Sequence, residues 1–107
     1  MDARLNPAMN SLPSIALSGM QTAQAALRVS AHNLANLETP AYHREEIVQN
    51  ERPGGGVDAQ VQRSAVEGSS LEADVVAQLQ ARNAFLENMA VFRTADRIAG
   101  SLLDTHA

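Results

Sequence analysis

Residues 29–42 read VSAHNLANLETPAY, and this stretch decides where the first long element of the chain ends. Its first half continues an apolar pattern with helical spacing, whereas Thr39-Pro40 interrupts that pattern. The residue before a proline is displaced from the helical region, and proline has no amide hydrogen to donate. The stretch therefore predicts a long helix that ends at about Asn36, which is a candidate left-handed residue at the helix end.

Upstream of this stop, apolar and small side chains recur at spacings of four and three residues, as they do along a coiled-coil seam. The seam comprises Ala16, Met20, Ala23, Leu27, Ser30, Leu34 and Leu37. It predicts a helix over residues 11–37, preceded by a flexible arm at residues 1–10. Ser11 would cap the first turn, where Pro13 is tolerated. Gly19 costs about 1 kcal/mol in a helix interior, so it either admits a neighbouring backbone or is a tolerated surface glycine.

Residues 38–68 are interpreted as a turn, a short β-hairpin and a linker. Residues 57–62 alternate apolar and polar side chains, as a half-buried strand does, and residues 46–50 are the candidate partner strand. The glycines at residues 54–56 supply the turn. Because an isolated two-stranded hairpin is marginal in water, we expect it to lean on a helix or to be mobile. Residues 64–69 would link it to the next element.

The last third of the chain predicts a second helix over residues 69–104. It should begin at Ser69 or Ser70, since Ser69 and Glu72 form a capping-box pattern. Its apolar positions are Leu71, Val75, Leu79, Phe85, Met89, Phe92, Ala95, Ala99 and Leu102. The predicted fold class is mainly α, with two long antiparallel helices forming a coiled-coil hairpin that is joined by a short β-hairpin or loop segment.

Composition argues against catalysis and nucleic-acid binding. The 107 residues allow one domain at most. There is no Cys, every basic residue is Arg, and a net charge of −4 leaves no basic stripe for nucleic acid. His32, His43 and His106 lack the spacing of a metal site, and Glu45-Glu46 is interpreted as an exposed charged pair. We therefore expect no enzyme activity, no cofactor, no metal and no small-molecule substrate.

Transport signals are also missing from the sequence pattern. No apolar run approaches the roughly 20 residues of a membrane-spanning helix. The first residues, MDARLNP, do not resemble a cleaved secretory signal. If the protein leaves the cytoplasm, it needs a route that does not read such a signal.

Both ends of the chain resemble the flagellar basal-body rod protein family and its hook-associated relatives. The N-terminal match is ALSGMQ at residues 16–21 and SAHNLANLETPAY at residues 30–42. The C-terminal match is ARNAF at residues 81–85, followed by Asn88, Val91, Thr94, Ala95, Asp96, Leu102 and Leu103. Three features depart from the family pattern: Glu38 replaces Asn or Asp, Ala41 replaces Gly, and the segment between the helices is short. Because Ala resists positive φ, the turn after Pro40 is expected to differ.

The resemblance implies a two-helix unit, built from both termini, that stacks with neighbours into a hollow axial structure crossing the periplasm. It also implies partners: copies of itself, other rod and hook-basal-body proteins, and the flagellar type III export apparatus, which exports subunits without signal cleavage. The N-terminal region of such proteins is often disordered until neighbours cover its apolar seam, which is folding on binding.

The candidate site is an assembly interface along both helices. Asn33 and Asn36 share a face, so they either cap the helix end or bond a neighbouring subunit and fix its register. Asp96 either pairs with Arg93 or contacts the N-terminal helix of its own or of a neighbouring subunit. The predicted interface residues are Gly19, Met20, Leu27, Asn33, Leu34, Asn36, Leu37, Thr39, Pro40, Tyr42, Phe85, Asn88, Met89, Phe92, Thr94, Asp96, Leu102 and Leu103.

Two other functions stay open at this stage. The short middle segment is compatible with a cytoplasmic helical-hairpin adaptor that binds rod or export components without joining the rod. A small metal-dependent enzyme that uses the histidines is a third, weaker possibility. For the rod hypothesis we expect a helical protein that self-associates in isolation, because neither helix can cover its apolar face alone.

Overall fold

The computed structural model describes residues 7–106, with side chains described for residues 12–104. It contains two helices and two strands in the order α1, β1, β2 and α2, spanning Pro7–Ala35, His43–Glu51, Val57–Glu67 and Leu71–His106. The two helices run antiparallel, and the two-stranded hairpin lies between them along the chain. The predicted fold class is therefore confirmed.

Helix α1 begins earlier than the sequence pattern indicated. It is already helical at Pro7, the first described residue, so residues 7–10 of the predicted flexible arm are helical, and residues 1–6 lie outside the described residues. The predicted cap at Ser11 is wrong, since Ser11 and Pro13 both lie inside the helix.

The end of α1 at Ala35 lies close to the predicted stop. Asn36 is not the left-handed residue that we expected, because Ala41 is the non-glycine residue with positive φ among the described residues. Instead, Asn36 Nδ2 donates to the His32 carbonyl at 2.8 Å, and Thr39 Oγ1 donates to Asn36 Oδ1 at 3.1 Å. Asn36 therefore closes the last turn through its side chain, which is the capping alternative.

The hairpin is longer than the alternation indicated. Antiparallel pairing runs from Glu51 opposite Val57 back to His43 opposite Glu67, with an irregularity near His43. The linker predicted at residues 64–69 is consequently mostly strand. The turn is made by the glycines at residues 54–56, all of which have positive φ. Glycine adopts this region without the steric penalty that a Cβ would cause.

The hairpin lies along α1. The Val57 amide donates to Ser18 Oγ at 3.1 Å, and Ser18 is 1% exposed. A β-carbon at Gly55 would lie 2.7 Å from the Ile15 side chain, so the tip of the hairpin is in close contact with the first half of the helix. Packing on a helix is the support that a two-stranded sheet needs in water.

Helix α2 is capped by Ser70. The Ala73 amide donates to Ser70 Oγ at 3.3 Å, as an N-cap requires. The predicted capping box is wrong, because the Ser69 hydroxyl donates to the Leu37 carbonyl at 3.0 Å instead. Ser69 thus ties the segment before α2 to the turn after α1.

The interior is thin and built from small side chains. The buried apolar residues are Ala16, Ala23, Ala25, Val29, Tyr42, Ala81 and Ala95. The radius of gyration is 18.1 Å, against about 13 Å for a compact domain of this length. The molecule measures 62 × 23 × 13 Å, so it is a rod with little core of its own.

Candidate assembly interface

A buried polar cluster forms where α1 ends and the hairpin begins, and Asn33 is its centre. The Asn33 side chain is 1% exposed. Its Oδ1 accepts hydrogen bonds from the Tyr42 hydroxyl and from the Glu45 amide, both at 2.8 Å, and its Nδ2 donates to the Glu45 carbonyl at 2.9 Å. The Asn33 side chain therefore bonds to both the amide and the carbonyl of Glu45 in β1, as a residue of a neighbouring strand would.

Asp74 brings α2 into the same cluster. It is 1% exposed, and its Oδ1 accepts from Asn33 Nδ2 at 3.3 Å and from Arg44 Nη2. The bonded carboxylate raises the pKa of Arg44 above its ordinary value. Asp74 Oδ2 and Arg44 Nε are buried without a hydrogen-bond partner among the described residues. Because a buried charge is costly unless it is paired, Asp74 depends on Arg44 for its place in the interior.

Tyr42 covers the outer side of the cluster. Its ring is buried, with the Arg63 guanidinium carbon 5.9 Å from the ring centroid and the His32 ring at the same centroid distance. Burial, followed by the nearby charge of Glu45, raises the pKa of the Tyr42 hydroxyl. The hydroxyl is thereby held as the neutral donor that Asn33 needs.

Ala41 adopts a left-handed conformation with φ of 59°. The resistance of alanine to positive φ, from which we expected an altered turn, does not prevent this geometry. Tyr42 requires the left-handed conformation at Ala41. Its carbonyl accepts from the Gly68 amide at 2.9 Å, while its side chain turns into the cluster. The left-handed residue aims Tyr42 inward at a conformational cost of roughly 1 kcal/mol.

The two helices approach each other closely at Gly19 of α1 and Asn88 of α2. A β-carbon at Gly19 would lie 2.4 Å from Asn88 Oδ1. Asn88 is held there because its Nδ2 donates to the Ala84 carbonyl at 2.8 Å. Gly19 is therefore not a tolerated surface glycine, but the group that it admits is the Asn88 side chain of the same chain and not a neighbouring backbone.

The predicted interface residues divide into three groups by exposure. Asn33 and Tyr42 are buried inside the subunit. The half-buried group comprises Gly19, Met20, Leu27, Leu34, Asn36, Leu37, Phe85, Asn88, Met89 and Phe92. An exposed group faces outward: Thr39, Pro40, Thr94, Asp96, Leu102 and Leu103. The exposed group is the part of the predicted set that a neighbouring subunit could reach without any rearrangement.

The structure shows which contacts three of these positions make within the described residues. Asn33 bonds within its own chain, which does not leave its amide free for a neighbouring subunit. Asp96 is exposed and forms no ion pair within the part of the chain that the structure describes, so the expected pair with Arg93 is not present there. Thr94 bonds back to the Ala90 carbonyl at 2.9 Å within its own helix.

The cluster includes residues that the sequence reading missed. Arg44 and Asp74 were not singled out, and Glu45 was interpreted as an exposed charge although it is half-buried. The acidic side chain of Asp74 in the first turn of α2 was a readable signal for a helix start. Its pairing with Arg44 was not readable, because the two lie 30 residues apart.

Helix α2 keeps large apolar side chains in contact with solvent. Leu71, Val75, Leu79 and Leu86 are between 40% and 55% exposed. At about 100° per residue they fall within roughly 80° of one another on the helix surface. We refer to these four residues as the α2 stripe. Large apolar side chains exposed along one helix face are candidates for an interaction surface, and on this face the exposed Arg82 lies between Leu79 and Leu86.

Within the described residues, no group of acidic residues and histidines could hold a metal ion. Nor is any helix in that part of the chain long and apolar enough to cross a membrane.

The segment that contains Ser18, Gly19, Asn33 and Tyr42 is also the segment that matches a known protein family. Residues 14–43 match the family described as Flagella basal body rod protein. The match makes this segment similar to the flagellar rod family and covers less than a third of the chain. This is a family of structural proteins of the flagellar basal body. The match ends at the first residue of β1, so the polar cluster combines family-matched residues with Asp74 from outside the match. No curated protein matches the chain.

Proposed function

We propose that this protein is a structural subunit of the bacterial flagellar basal-body rod and that it assembles through its terminal helices. One observation carries the proposal: a chain with a rod-family segment exposes large apolar side chains along α2 after its own fold is complete. Burial of such side chains contributes roughly 25 cal/mol per Å² of apolar surface, which is the drive for assembly.

The polar cluster suits a unit of this kind because it fixes the subunit's internal geometry. Asn33, Asp74 and Tyr42 join both helices and the root of the hairpin through buried hydrogen bonds. A stacked assembly repeats any error in the subunit's shape, so a rigid junction favours a regular lattice. The interface itself would then lie on the exposed group, which includes Leu102 and Leu103.

The other parts of the proposal concern transport and place. We propose that the subunit is exported by the flagellar type III apparatus without signal cleavage and is located in the periplasmic rod. Its partners would be copies of itself and other rod or hook-basal-body proteins. No catalytic role is assigned, and the alternative remains a cytoplasmic adaptor that binds rod or export components.

The first test is deletion of the gene, followed by electron microscopy of flagella and purification of basal bodies from a strain that carries a tagged copy. We expect short or absent flagella in the deletion strain, and the tagged subunit in the basal bodies. Normal motility together with absence from basal bodies would count against the rod role. A loss of flagella with the protein confined to the cytoplasm would favour the adaptor.

A second test uses the exposed end of α2. Leu103 is 72% exposed, so Leu103→Asp removes an apolar contact without disturbing the fold. The variant should enter basal bodies poorly while its circular dichroism stays that of the wild type. Glu87→Ala, at another exposed position on the same helix, is the matched control and should incorporate normally. Equal incorporation of both variants would show that this end of α2 is not an assembly contact.

A further inference from the structure

The α2 stripe points to a specific occupant, and the argument does not depend on the rod role. We propose that the stripe pairs with the same stripe of a second copy, with the two α2 helices antiparallel, to form a closed dimer in solution. The stripe runs from Leu71 to Leu86, which is about 22 Å of helix. All four of its side chains remain substantially exposed in the single chain.

The spacing of the stripe fits an antiparallel pair. When the two-fold axis passes between Arg82 and Asn83, Leu79 of one copy lies level with Leu86 of the other. The same axis places Val75 level with Ala90, which is exposed on the same side of the helix. Leu79 and Leu86 of each copy then cover each other twice, which is the self-complementary contact that a two-fold axis requires, whereas Leu71 lies level with the partner copy's position 94.

Charge favours the same direction. Glu72 is exposed beside the start of the stripe, whereas Arg93 and Arg97 are exposed beyond its end. The axis that pairs Leu79 with Leu86 also sets Glu72 level with the partner's Arg93, and the symmetry makes this contact twice. A parallel pair in register would instead place each of these charges against its own copy, and like charges repel.

One interaction opposes the pair and limits its affinity. The two Arg82 side chains lie near the axis and repel each other, although their long stems allow the charged groups to move apart into water. A closed dimer of this kind uses up the stripe, so it does not continue into a filament. It would keep the apolar surface of α2 covered in free subunits.

Crosslinking tests the direction of the pair, because the chain has no cysteine of its own. Asn83→Cys and Val75→Cys are made separately in the full-length protein and treated with a short bifunctional thiol crosslinker. In the antiparallel dimer, two Cys side chains at position 83 lie close to the axis. Two at position 75 are separated by about 22 Å along the helices. We expect a crosslinked dimer for Asn83→Cys and none for Val75→Cys.

The other crosslinking outcomes all contradict the proposal. Crosslinking of both variants would indicate a parallel pair, crosslinking of Val75→Cys alone would indicate a different register, and crosslinking of neither would indicate that the stripes do not meet. Sedimentation of the untreated wild-type protein must also show a concentration-dependent dimer. A monomer at every concentration would overturn the inference.

Charge reversal provides an independent test. Glu72→Arg replaces two attractions by two repulsions, so it should weaken the dimer about fivefold to tenfold. Glu87→Arg makes the same charge change at an exposed position off the stripe, and it should leave dimerisation within about twofold of the wild type. The double variant Glu72→Arg with Arg93→Glu should recover the wild-type affinity. If Glu72→Arg acts only through the helix dipole, Arg93→Glu will not rescue it, and the proposed pairing fails.

Discussion

Gly19 of α1 lies directly against Asn88 of α2, so close that a β-carbon at position 19 would sit 2.4 Å from Asn88 Oδ1. The Asn88 side chain is held at this point by a 2.8 Å hydrogen bond from its Nδ2 to the Ala84 carbonyl. The contact fixes both the separation of the helices and their axial register, since one helix has no side chain where the other presents an amide.

Replacement of Gly19 by alanine should lower the free energy of unfolding by about 1 kcal/mol. The new methyl group forces Asn88 to turn and lose its bond to Ala84, and the crowding outweighs the helix propensity that alanine gains. Urea unfolding followed by circular dichroism, at one protein concentration, measures the change. Gly100 is the matched control because, among the described residues and apart from its chain neighbours and its own helix backbone, no atom lies within 4 Å of its would-be β-carbon, and Gly100→Ala should raise stability by about 0.5 kcal/mol. Equal stabilisation by both variants would contradict the close contact.

Replacement of Ala41 by glycine should stabilise the fold. Ala41 has φ of 59°, a conformation that costs an L-residue roughly 1 kcal/mol and that glycine adopts freely. We expect a gain of about 0.5 kcal/mol, because glycine also loses more chain entropy on folding. The same change at Ala31, an exposed position inside α1, should instead cost about 1 kcal/mol. Thermal unfolding of the two variants decides the matter, and a loss of stability in Ala41→Gly would contradict the strain.

The elements of the fold were predictable where local chemistry specifies them. Thr39-Pro40 stops a helix whatever surrounds it, and the glycines at residues 54–56 permit a hairpin turn because they have no β-carbon. The helical residues 7–10 were missed because Pro13 was taken to mark the first turn. Residues 63–67 of β2 were also missed, because their side chains are mostly exposed and give no apolar alternation.

The site was predictable only in part, since its key contacts join residues that are distant in sequence. Asn33 was identified as important, but its partner Asp74 lies 41 residues away, and no spacing rule connects the two. A buried asparagine and one facing a neighbouring subunit have the same local sequence. The turn at Ala41 determines which role Asn33 has, because it brings Tyr42 and the start of β1 over the Asn33 amide.

Loss of the Asp74 carboxylate should be the most damaging change in the polar cluster. The Asp74 side chain is 1% exposed, and its removal leaves Arg44 without its bonded partner in a largely buried position. We expect Asp74→Ala to lower the free energy of unfolding by about 3 kcal/mol. Guanidinium unfolding provides the measurement.

The exposed ion pair at the hairpin tip offers a comparison. Arg52 and Asp58 are 2.8 Å apart, but the Asp58 side chain is 62% exposed. Solvent screens such a pair, so Asp58→Ala should cost less than about 0.5 kcal/mol. Similar losses for Asp58→Ala and Asp74→Ala would show that burial does not distinguish the two ion pairs, and the role given to the cluster would be wrong.

Stability should decline at alkaline pH as Tyr42 ionises. Burial and the charge of Glu45 raise the pKa of Tyr42 in the folded chain above the value near 10 of an unfolded chain. A raised pKa means that the neutral hydroxyl contributes stability that is fully present below pH 10 and is lost as the pH rises through the folded value. The phenolate also cannot donate to Asn33 Oδ1, so the cluster loses a bond when the proton leaves.

Tyr42 is the one tyrosine of the chain, and there is no tryptophan, so absorbance of the phenolate reports on this group alone. We expect its titration midpoint to be higher in the folded protein than in urea. Tyr42→Phe should cost about 1 kcal/mol at neutral pH and should flatten the alkaline decline in stability. A midpoint that is the same in folded and unfolded protein would contradict the burial of Tyr42 and its hydrogen bond to Asn33.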